Sequence, residues 1–216
     1  MDTARITDLL APFLEEPLTS TQLDQISTYI DLLIRWNSRV NLTAIRTPEE
    51  IVTRHFGESL FAARHLFPLD SQISLEKTPT RGLLVDIGSG AGFPGLPIKI
   101  WSPQTRVTLI ESNQKKVAFL REAIRALTLT DIDVFPGRAQ EFPPASAATI
   151  TLRAVERFAQ ILPTAIRLLA PSSRLALLIS DTQLPLAQAI APSRHWLPKI
   201  AIPLSTRRVM VIAKSR

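Results

Sequence analysis

The chain has 216 residues, 45% of them hydrophobic, with a net charge of +6 and no cysteine. This size suits one α/β core with an additional helical segment, and the lack of cysteine excludes disulfides, thiolate metal sites and cysteine nucleophiles. No uncharged stretch is long enough to span a bilayer and the N-terminus is unlike a secretory signal, so we expect no membrane segment. The lack of cysteine suits a reducing cytosol. We therefore expect a cytoplasmic protein, and we expect no metal.

Hydrophobic spacing predicts two helices at the start of the chain. The first covers residues 3–16. Thr19 and Gln22 have the spacing of a capping box, which predicts the start of a second, amphipathic helix that continues to Trp36. Both helices belong to the helical subdomain that we predict over residues 1–67.

A third helix is predicted to begin at Pro48, because proline suits the first position of a helix. One face of this helix carries His55 and Ser59, which are candidate catalytic residues, although such groups more often make structural hydrogen bonds. On a neighbouring face, Arg54 and Glu58 have the spacing of a solvated ion pair.

A stretch rich in proline, serine and threonine, residues 68–82, predicts a loop after the helical subdomain. The part that follows, residues 80–216, begins with a strand. We expect the two parts to form one compact domain rather than two independent ones.

The most informative stretch follows this loop. An apolar run over residues 83–87 stops at Gly88, Gly90 and Gly92, which is typical of a buried parallel strand, a tight turn and a helix start. Glycine permits a positive φ and lets a ligand approach where a Cβ would intrude. A purely structural turn is the alternative, but four of the seven glycines lie between Gly88 and Gly95, which favours a cofactor loop.

Two cofactors suit such a loop. The spacing Gly90-x-Gly92-x-x-Gly95 satisfies the dinucleotide fingerprint, and Glu111 follows at a distance suited to a ribose. Asp86 favours S-adenosylmethionine (SAM), because a carboxylate at the strand end can meet the ammonium group of SAM but repels the pyrophosphate of NAD. We therefore predict a SAM site that includes Asp86 and Gly90, with a dinucleotide-dependent oxidoreductase as the competing class.

The rest of the chain alternates between strands and helices, which indicates an α/β sheet. Strands are predicted over residues 106–111, 131–135, 148–152 and 175–179, a final hairpin over 199–203 and 208–213, and helices over 93–101 and 113–127, with a further helix ending at Leu169.

Three residues after these strands are candidate ligand contacts. Ala139 and Gln140 follow the third strand, where they can hold an adenine. Arg153 follows the fourth strand, at the carboxyl end where open α/β sheets bind ligands. A structural ion pair of Arg153 with Glu156 or Asp86 is the alternative.

Four segments together resemble one family. They are Trp36-Asn37-x-x-x-Asn41-Leu42-Thr43-Ala44-Ile45, Arg54-His55, Asp86-Ile87-Gly88-Ser89-Gly90-Ala91-Gly92-Phe93-Pro94-Gly95 and Arg153-Ala154. In the order and spacing of these segments the chain resembles the RsmG (GidB) family, from about residue 20 to its C-terminus. Members of that family are bacterial SAM-dependent methyltransferases that modify N7 of a guanine in small-subunit (16S) ribosomal RNA.

The resemblance implies a class I SAM-dependent methyltransferase fold, a Rossmann-like, mostly parallel sheet of seven strands whose last strand is antiparallel. It also implies that Glu111 meets the ribose of SAM. The further cofactor contacts that it implies are Gly88, Phe93, Ala139, Gln140 and Arg153. The chain departs from the family's usual residues at Glu58, Gln140 and Ala148 and at the end of the fifth strand, where Ile179-Ser180-Asp181 replaces an expected lysine.

Methylation of guanine N7 fits a chain with three histidines and no cysteine. N7 carries a lone pair and no proton, so its attack on a methyl group needs alignment and a dry site but no general base. The catalytic residues therefore stay open, with His55, Ser59 and Arg153 as candidates. A non-catalytic RNA-binding or ribosome-assembly protein with a vestigial SAM fold is the alternative.

The charge distribution indicates contact with RNA. Residues 1–34 carry one arginine and six acidic residues, a net charge of −5, whereas residues 35–216 carry 24 basic and 13 acidic residues, a net charge of +11. Guanine N7 lies in a groove that is too deep and narrow to enter in A-form RNA, so the target should be unpaired or flipped. We expect ribosomal RNA or the small ribosomal subunit as the partner and a monomeric protein. Candidates for phosphate contacts are Arg35, Arg39, Arg46, Arg207 and Arg208.

Overall fold

The structure, a computed structural model, describes residues 1–68, 82–155 and 157–215. The predicted loop over residues 68–82 therefore falls almost entirely outside the described residues, as does Glu156. The division into parts 1–67 and 80–216 stays a prediction.

Eight strands form the sheet in the part of the chain that the structure describes. They are β1 (Leu84–Ile87), β2 (Val107–Ile110), β3 (Ile132–Phe135), β4 (Ala147–Arg153), β5 (Leu169–Ser180), β6 (His195–Trp196), β7 (Ile200–Ala201) and β8 (Arg208–Lys214). The order across the sheet is β3-β2-β1-β4-β5-β8-β6, and β7 also pairs with β8. The strands from β1 to β5 are parallel and β8 is antiparallel to β5, as predicted.

The strand count differs from the seven that we predicted. The two short strands β6 and β7 pair with opposite ends of the same side of β8, so together they fill one position of the sheet. Between them, Leu197 still donates to the carbonyl of Ile212 at 2.9 Å, but the next residue, Pro198, has no N–H to continue the ladder. Among the described residues the sheet therefore has seven positions and eight strands.

Seven helices cover the sheet within the described residues. They are α1 (Thr3–Leu10), α2 (Ser20–Asn37), α3 (residues 48–66), α4 (Gly95–Trp101), α5 (Gln114–Ala126), α6 (Phe158–Leu168) and α7 (Leu184–Ile190). Short 3-10 segments cover Ala11–Phe13, Ala139–Glu141 and Asp181–Gln183.

The first two helices largely follow the prediction. The capping box of Thr19 and Gln22 is present at the start of α2. The predicted first helix is shorter than expected, because the α-helix gives way to a 3-10 segment at Ala11–Phe13, where Pro12 removes a backbone donor.

Helix α3 changes its winding along its length. It consists of an α-helical turn, Pro48–Glu50, a π-helical segment, Ile51–Gly57, and an α-helical part, Glu58–Leu66. π-helical segments widen the turn and often occur at functional sites. In this chain the segment contains His55 and ends next to Glu58.

Two apolar clusters lie on opposite faces of the sheet. One joins the sheet to α1–α5, with side chains such as Ile30, Phe56 and Leu84. The other joins it to α6 and α7, with Val85 and Leu162 among its members. The N-terminal helices thus share a layer with α4 and α5, and this places α3 beside the carboxyl ends of β1 and β4.

Candidate active site

The turn after β1 has the backbone that its glycines predicted. The φ angles of Gly88, Gly90 and Gly92 are 69°, 57° and 87°, in the left-handed region that other residues rarely adopt. A Cβ on Gly90 would meet open space, with the carbonyl oxygen of Gly88 the nearest atom at 3.9 Å. The turn therefore leaves room above Gly90 for a ligand.

Asp86 lies below this turn and is buried. Its Oδ1 atom accepts a hydrogen bond from the Thr151 hydroxyl at 2.7 Å, and its Oδ2 atom accepts from the Gly95 amide at 3.2 Å. Burial raises the pKa of Asp86 to about 6, and hydrogen bonds from Thr151, Ser89 and Gly95 oppose this increase. The carboxyl group therefore titrates close to neutral pH, and it holds the turn to β4.

Glu111, just after β2, lies beside the same turn. One carboxylate oxygen accepts from the amide of Gly90 at 2.9 Å, and the other accepts from the amide of Asn113 at 2.8 Å. A carboxylate has about four acceptor positions, so Glu111 keeps capacity for hydroxyl donors such as those of a ribose.

Phe93 is packed between two rings of the N-terminal helices. It stacks on Tyr29 with ring centroids 5.3 Å apart and on His55 with centroids 4.6 Å apart. The Tyr29 hydroxyl also donates to the carbonyl of Ala91 in the turn. Sequence reasoning missed Tyr29; its signal is that the only tyrosine lies on the apolar face of α2.

His55 connects α3 to β4. Its Nε2 atom lies 2.8 Å from the Thr43 hydroxyl, and its Nδ1 atom lies 3.2 Å from Arg153 Nη1. Burial, together with the positive charges of Arg153, Arg54 and Arg208, lowers the pKa of His55 to about 3. The ring is therefore neutral at physiological pH.

Glu58 is buried and pairs with two arginines. Arg153 Nη2 lies 3.1 Å from Glu58 Oε2, and Arg208 Nη2 pairs with Glu58 Oε1. We predicted a solvated pair of Glu58 with Arg54, and a structural pair of Arg153 with Glu156 or Asp86 was the alternative to a ligand contact. The first prediction is wrong, because the α3 backbone directs Glu58 towards the sheet, where it pairs with Arg153. The Arg54 carbonyl accepts from Arg153 at 2.7 Å.

Three other predicted site residues have distinct positions. Ser59 is buried, and its hydroxyl donates to the carbonyl of His55 at 2.6 Å. In the 3-10 segment after β3, Ala139 is buried and Gln140 is exposed. Arg167 holds this segment by donating to the Gln140 carbonyl at 2.9 Å.

A cleft of about 220 Å³ opens at the carboxyl ends of β4 and β5. Its lining includes Arg153, Val155, Phe158, Ser180, Gln183 and Arg208. Ala154, which also lines this cleft, has a φ of 50°, an uncommon value for alanine. Such backbone strain is concentrated at functional sites.

The residues around the glycine turn fit SAM. The open space above Gly90 can admit a ligand, the carboxylate of Glu111 can accept from ribose hydroxyls, and that of Asp86 can attract an ammonium group. Phe93 lies within the aromatic stack, and Arg153 lines the adjoining cleft.

Three other residues that we predicted to contact phosphate, Arg35, Arg39 and Arg46, do not line this cleft. A hollow of about 330 Å³ is lined by Arg35, Arg39 and Glu122, and Arg35 pairs with Glu122 at 3.3 Å. Arg46 donates to Asn41 at 3.3 Å. These cations lie on exposed side chains of the helical part.

Neither a membrane helix nor a metal cluster is present within residues 1–68, 82–155 and 157–215. Each helix there is too short or too polar to cross a bilayer, and no group of three His, Asp or Glu side chains there has a geometry suited to a metal ion.

Comparison with known proteins shows the family of the chain. The family model described as rRNA small subunit methyltransferase G (GidB) matches residues 22–186. Ribosomal RNA small subunit methyltransferase G of Xanthomonas oryzae pv. oryzae is 36% identical over 181 residues, 81% of this chain and 79% of that protein. The protein of the same name from Halorhodospira halophila is 36% identical over 194 residues, 87% of each chain.

Solved structures share the architecture. Ribosomal protein L11 methylase from Lactobacillus delbrueckii subsp. bulgaricus has a TM-score of 0.56 at 13% identity and covers 74% of this chain and 80% of its own. TYW2 from M. jannaschii, solved in complex with AdoMet, has a TM-score of 0.53 at 13% identity and covers 73% of this chain and 74% of its own. These likenesses confirm the predicted fold class. By its family match and its relatives, the chain belongs to the rRNA small subunit methyltransferase G family.

Proposed function

We propose that this chain transfers a methyl group from SAM to N7 of a guanine in small-subunit (16S) ribosomal RNA. As a member of its family it is a SAM-dependent methyltransferase of small-subunit ribosomal RNA. The roles of individual residues are our proposal.

The observation that carries the proposal is that the glycine turn and the cleft adjoin. Val155 lines the cleft, and its side chain lies 3.5 Å from the position that a Cβ on Gly88 would occupy. A cofactor over the turn and a base in the cleft would therefore be neighbours, as methyl transfer requires.

The proposed cofactor site consists of residues from three strand ends and one 3-10 segment. Bound there, SAM supplies a methyl group on a positively charged sulfur. We assign Asp86 and Arg153 to its charged end and Glu111 to its ribose. The other proposed contacts are Gly88, Gly90, Phe93, Ala139 and Gln140.

The state of the polar groups near the cleft supports a reaction without a general base. His55 is neutral, and both of its ring nitrogens have partners. The Ser59 hydroxyl points to a backbone carbonyl. Guanine N7 needs no deprotonation, so the task of the chain is to align the base and exclude water.

We also propose that the protein acts as a monomer in the cytoplasm. The proposed cofactor contacts and the proposed base site require no residue from a second copy, and ribosomal subunits are cytoplasmic. Elution of the active protein at the mass of a dimer would contradict the first part of this proposal.

The test is to measure SAM binding by calorimetry and then to incubate the protein with radiolabelled SAM and small subunits or their RNA. We expect label on N7 of one guanine. SAM binding without label in any assembly state would instead favour a non-catalytic RNA-binding protein, and no SAM binding would refute the assigned cofactor site.

A further inference from the structure

We propose that Arg208 binds a phosphate of the RNA backbone beside the target guanine. This inference rests on the proposed function, because it assumes that the cleft at the ends of β4 and β5 receives the base. It adds an anion site to that cleft, with Arg208 as its ligand and a phosphodiester as the group bound.

The position of Arg208 brings its side chain to the cleft. It is the first residue of β8 and pairs in register with Ser180, the last residue of β5. Both residues line the cleft, and the Arg208 side chain keeps 28% of its surface exposed. A ligand that enters from solvent therefore meets this guanidinium at the rim.

Arg208 has more free hydrogen-bonding capacity, and is more exposed to solvent, than the other cleft arginine. The nitrogens of Arg153 contact Glu58, His55 and the Arg54 carbonyl, and only 8% of its side chain is exposed. Among the described residues, the one carboxylate that pairs with Arg208 is Glu58, through Nη2. Because a guanidinium has five N–H donors, Arg208 can bind an additional acceptor.

The charge of this region favours an anion. Within the described residues Glu58 is shared between Arg153 and Arg208, and Arg54 adds a third cation close enough to lower the pKa of Arg208. Asp86 also acts electrostatically on Arg153, so two carboxyl groups face three guanidinium groups and the region keeps an excess of positive charge. Helix α6 begins at Phe158, which lines the same cleft, so the positive end of its dipole also lies there.

A phosphodiester suits this site better than a neutral group. Arginine presents two parallel N–H donors that match phosphate oxygens, and a held guanidinium loses little entropy on binding. Glu58 anchors one side of the Arg208 guanidinium. The flipped nucleotide that we expect in the cleft would bring its own phosphates to the rim.

The experiment compares Arg208→Gln with the unmodified protein in binding to RNA that contains the target, across a series of salt concentrations. The loss of one phosphate contact should weaken binding about tenfold at low salt and reduce the slope of log affinity against log salt by about 0.7 to 0.9. SAM affinity should stay unchanged. In this variant Arg153 still pairs with Glu58, so the buried carboxylate keeps a cation.

Two further variants complete the test. Lys214→Gln removes a cation at the opposite end of β8 and should leave the salt slope unchanged. Arg208→Lys keeps the charge and should keep the salt slope while RNA affinity falls about threefold, because lysine lacks the guanidinium fork. This variant tests the proposal even where Arg208→Gln does not fold, since wild-type RNA affinity in it would contradict the proposal.

The outcomes separate this inference from the proposed function. An unchanged salt slope in a folded Arg208→Gln protein would overturn the phosphate contact, even with methylation intact. A loss of SAM affinity would assign Arg208 to the cofactor carboxylate instead and would also overturn it. Failure of the unmodified protein to label guanine N7 would refute the proposed function, whereas the salt slope would still report whether Arg208 contacts RNA.

Discussion

The Nδ1 atom of His55 lies 3.2 Å from both terminal nitrogens of the Arg153 guanidinium. A guanidinium can only donate hydrogen bonds, so Nδ1 accepts and the ring proton resides on Nε2, from which it is donated to Thr43. Protonation of Nδ1 would remove this acceptor and place a second cation against Arg153. The contact therefore links the charge of His55 to the integrity of the site.

This contact predicts how stability depends on pH. The pKa of His55 is about 3 in the folded protein and ordinarily 6.5, so the unfolded chain takes up the proton first. The contribution of neutral His55 to the free energy of unfolding is complete above about pH 6.5. It is lost as the pH falls towards 3, by up to about 1.4 kcal/mol per pH unit. His55→Gln should show a shallower loss of unfolding free energy in urea titrations between pH 4 and 7.

Comparing the unmodified protein with His55→Gln isolates the contribution of His55 to the pH dependence of stability. The raised pKa of Asp86, about 6, acts in the opposite direction, because a folded carboxyl that is protonated more readily gains stability as the pH falls. Asp86 is present in both proteins, so its effect cancels in the difference. Equal slopes for the two proteins would show that His55 does not contribute in this way.

The raised pKa of Asp86 also predicts pH-dependent binding of SAM. A cationic ligand stabilises the ionised carboxylate, so SAM should bind more tightly as the pH rises through about 6. Below that pH the affinity should fall by up to about tenfold per pH unit. Calorimetry between pH 5 and 7.5 measures this, and Asp86→Asn, which does not titrate, should abolish the dependence. A flat profile for the unmodified protein would contradict the assignment of Asp86 to the charged end of SAM.

Two glycines of the turn offer a matched pair of substitutions. Gly90→Ala and Gly92→Ala both force alanine to a positive φ, at about 1–2 kcal/mol each. Only the Cβ at position 92 would overlap Leu96 and the Tyr29 hydroxyl, which should cost a further 1–3 kcal/mol or so. Chemical unfolding should rank Gly92→Ala as the less stable protein.

The same pair separates packing from ligand binding. The Cβ of Gly90→Ala would point into open space above the turn, where we place the cofactor, so this variant should fold and yet bind SAM weakly. Normal SAM affinity in folded Gly90→Ala would place the cofactor elsewhere.

Glu111 is expected to serve both the turn and the cofactor. Glutamine at this position has one acceptor oxygen for two backbone amides, those of Gly90 and Asn113. Glu111→Gln should therefore lower the unfolding free energy by about 1–3 kcal/mol and weaken SAM binding about tenfold. Glu122→Gln, a surface acid paired with Arg35, is the control and should change neither quantity by much.

One substitution tests whether Ser59 has a catalytic role. Its buried hydroxyl donates to the His55 carbonyl, so Ser59→Ala should lose about 1 kcal/mol of stability and retain methyl transfer. A large fall in the rate of methyl transfer at saturating SAM, in a protein that still folds, would show that Ser59 takes part in the reaction.

The sequence alone determined the βα order and the nature of the glycine turn. Strand, turn and helix over residues 83–95 follow from neighbours in the chain: an apolar run, three glycines that accept positive φ, and an acid at the strand end. The same is true of the capping box at Thr19 and Gln22, whose hydrogen bonds are local. Parallel strands also bring their carboxyl ends to one edge, so the positions of Arg153 and Glu111 at that edge were predictable.

Only the tertiary structure decided which of these residues meet. Glu58 and Arg153 are 95 positions apart, and the π-helical segment of α3 turns Glu58 away from the Arg54 pairing that helical spacing favours. Tyr29 reaches the glycine turn across 62 positions. Apolar periodicity shows which face of a helix is buried but not what lies opposite that face, because the partner is chosen by the packing of distant elements.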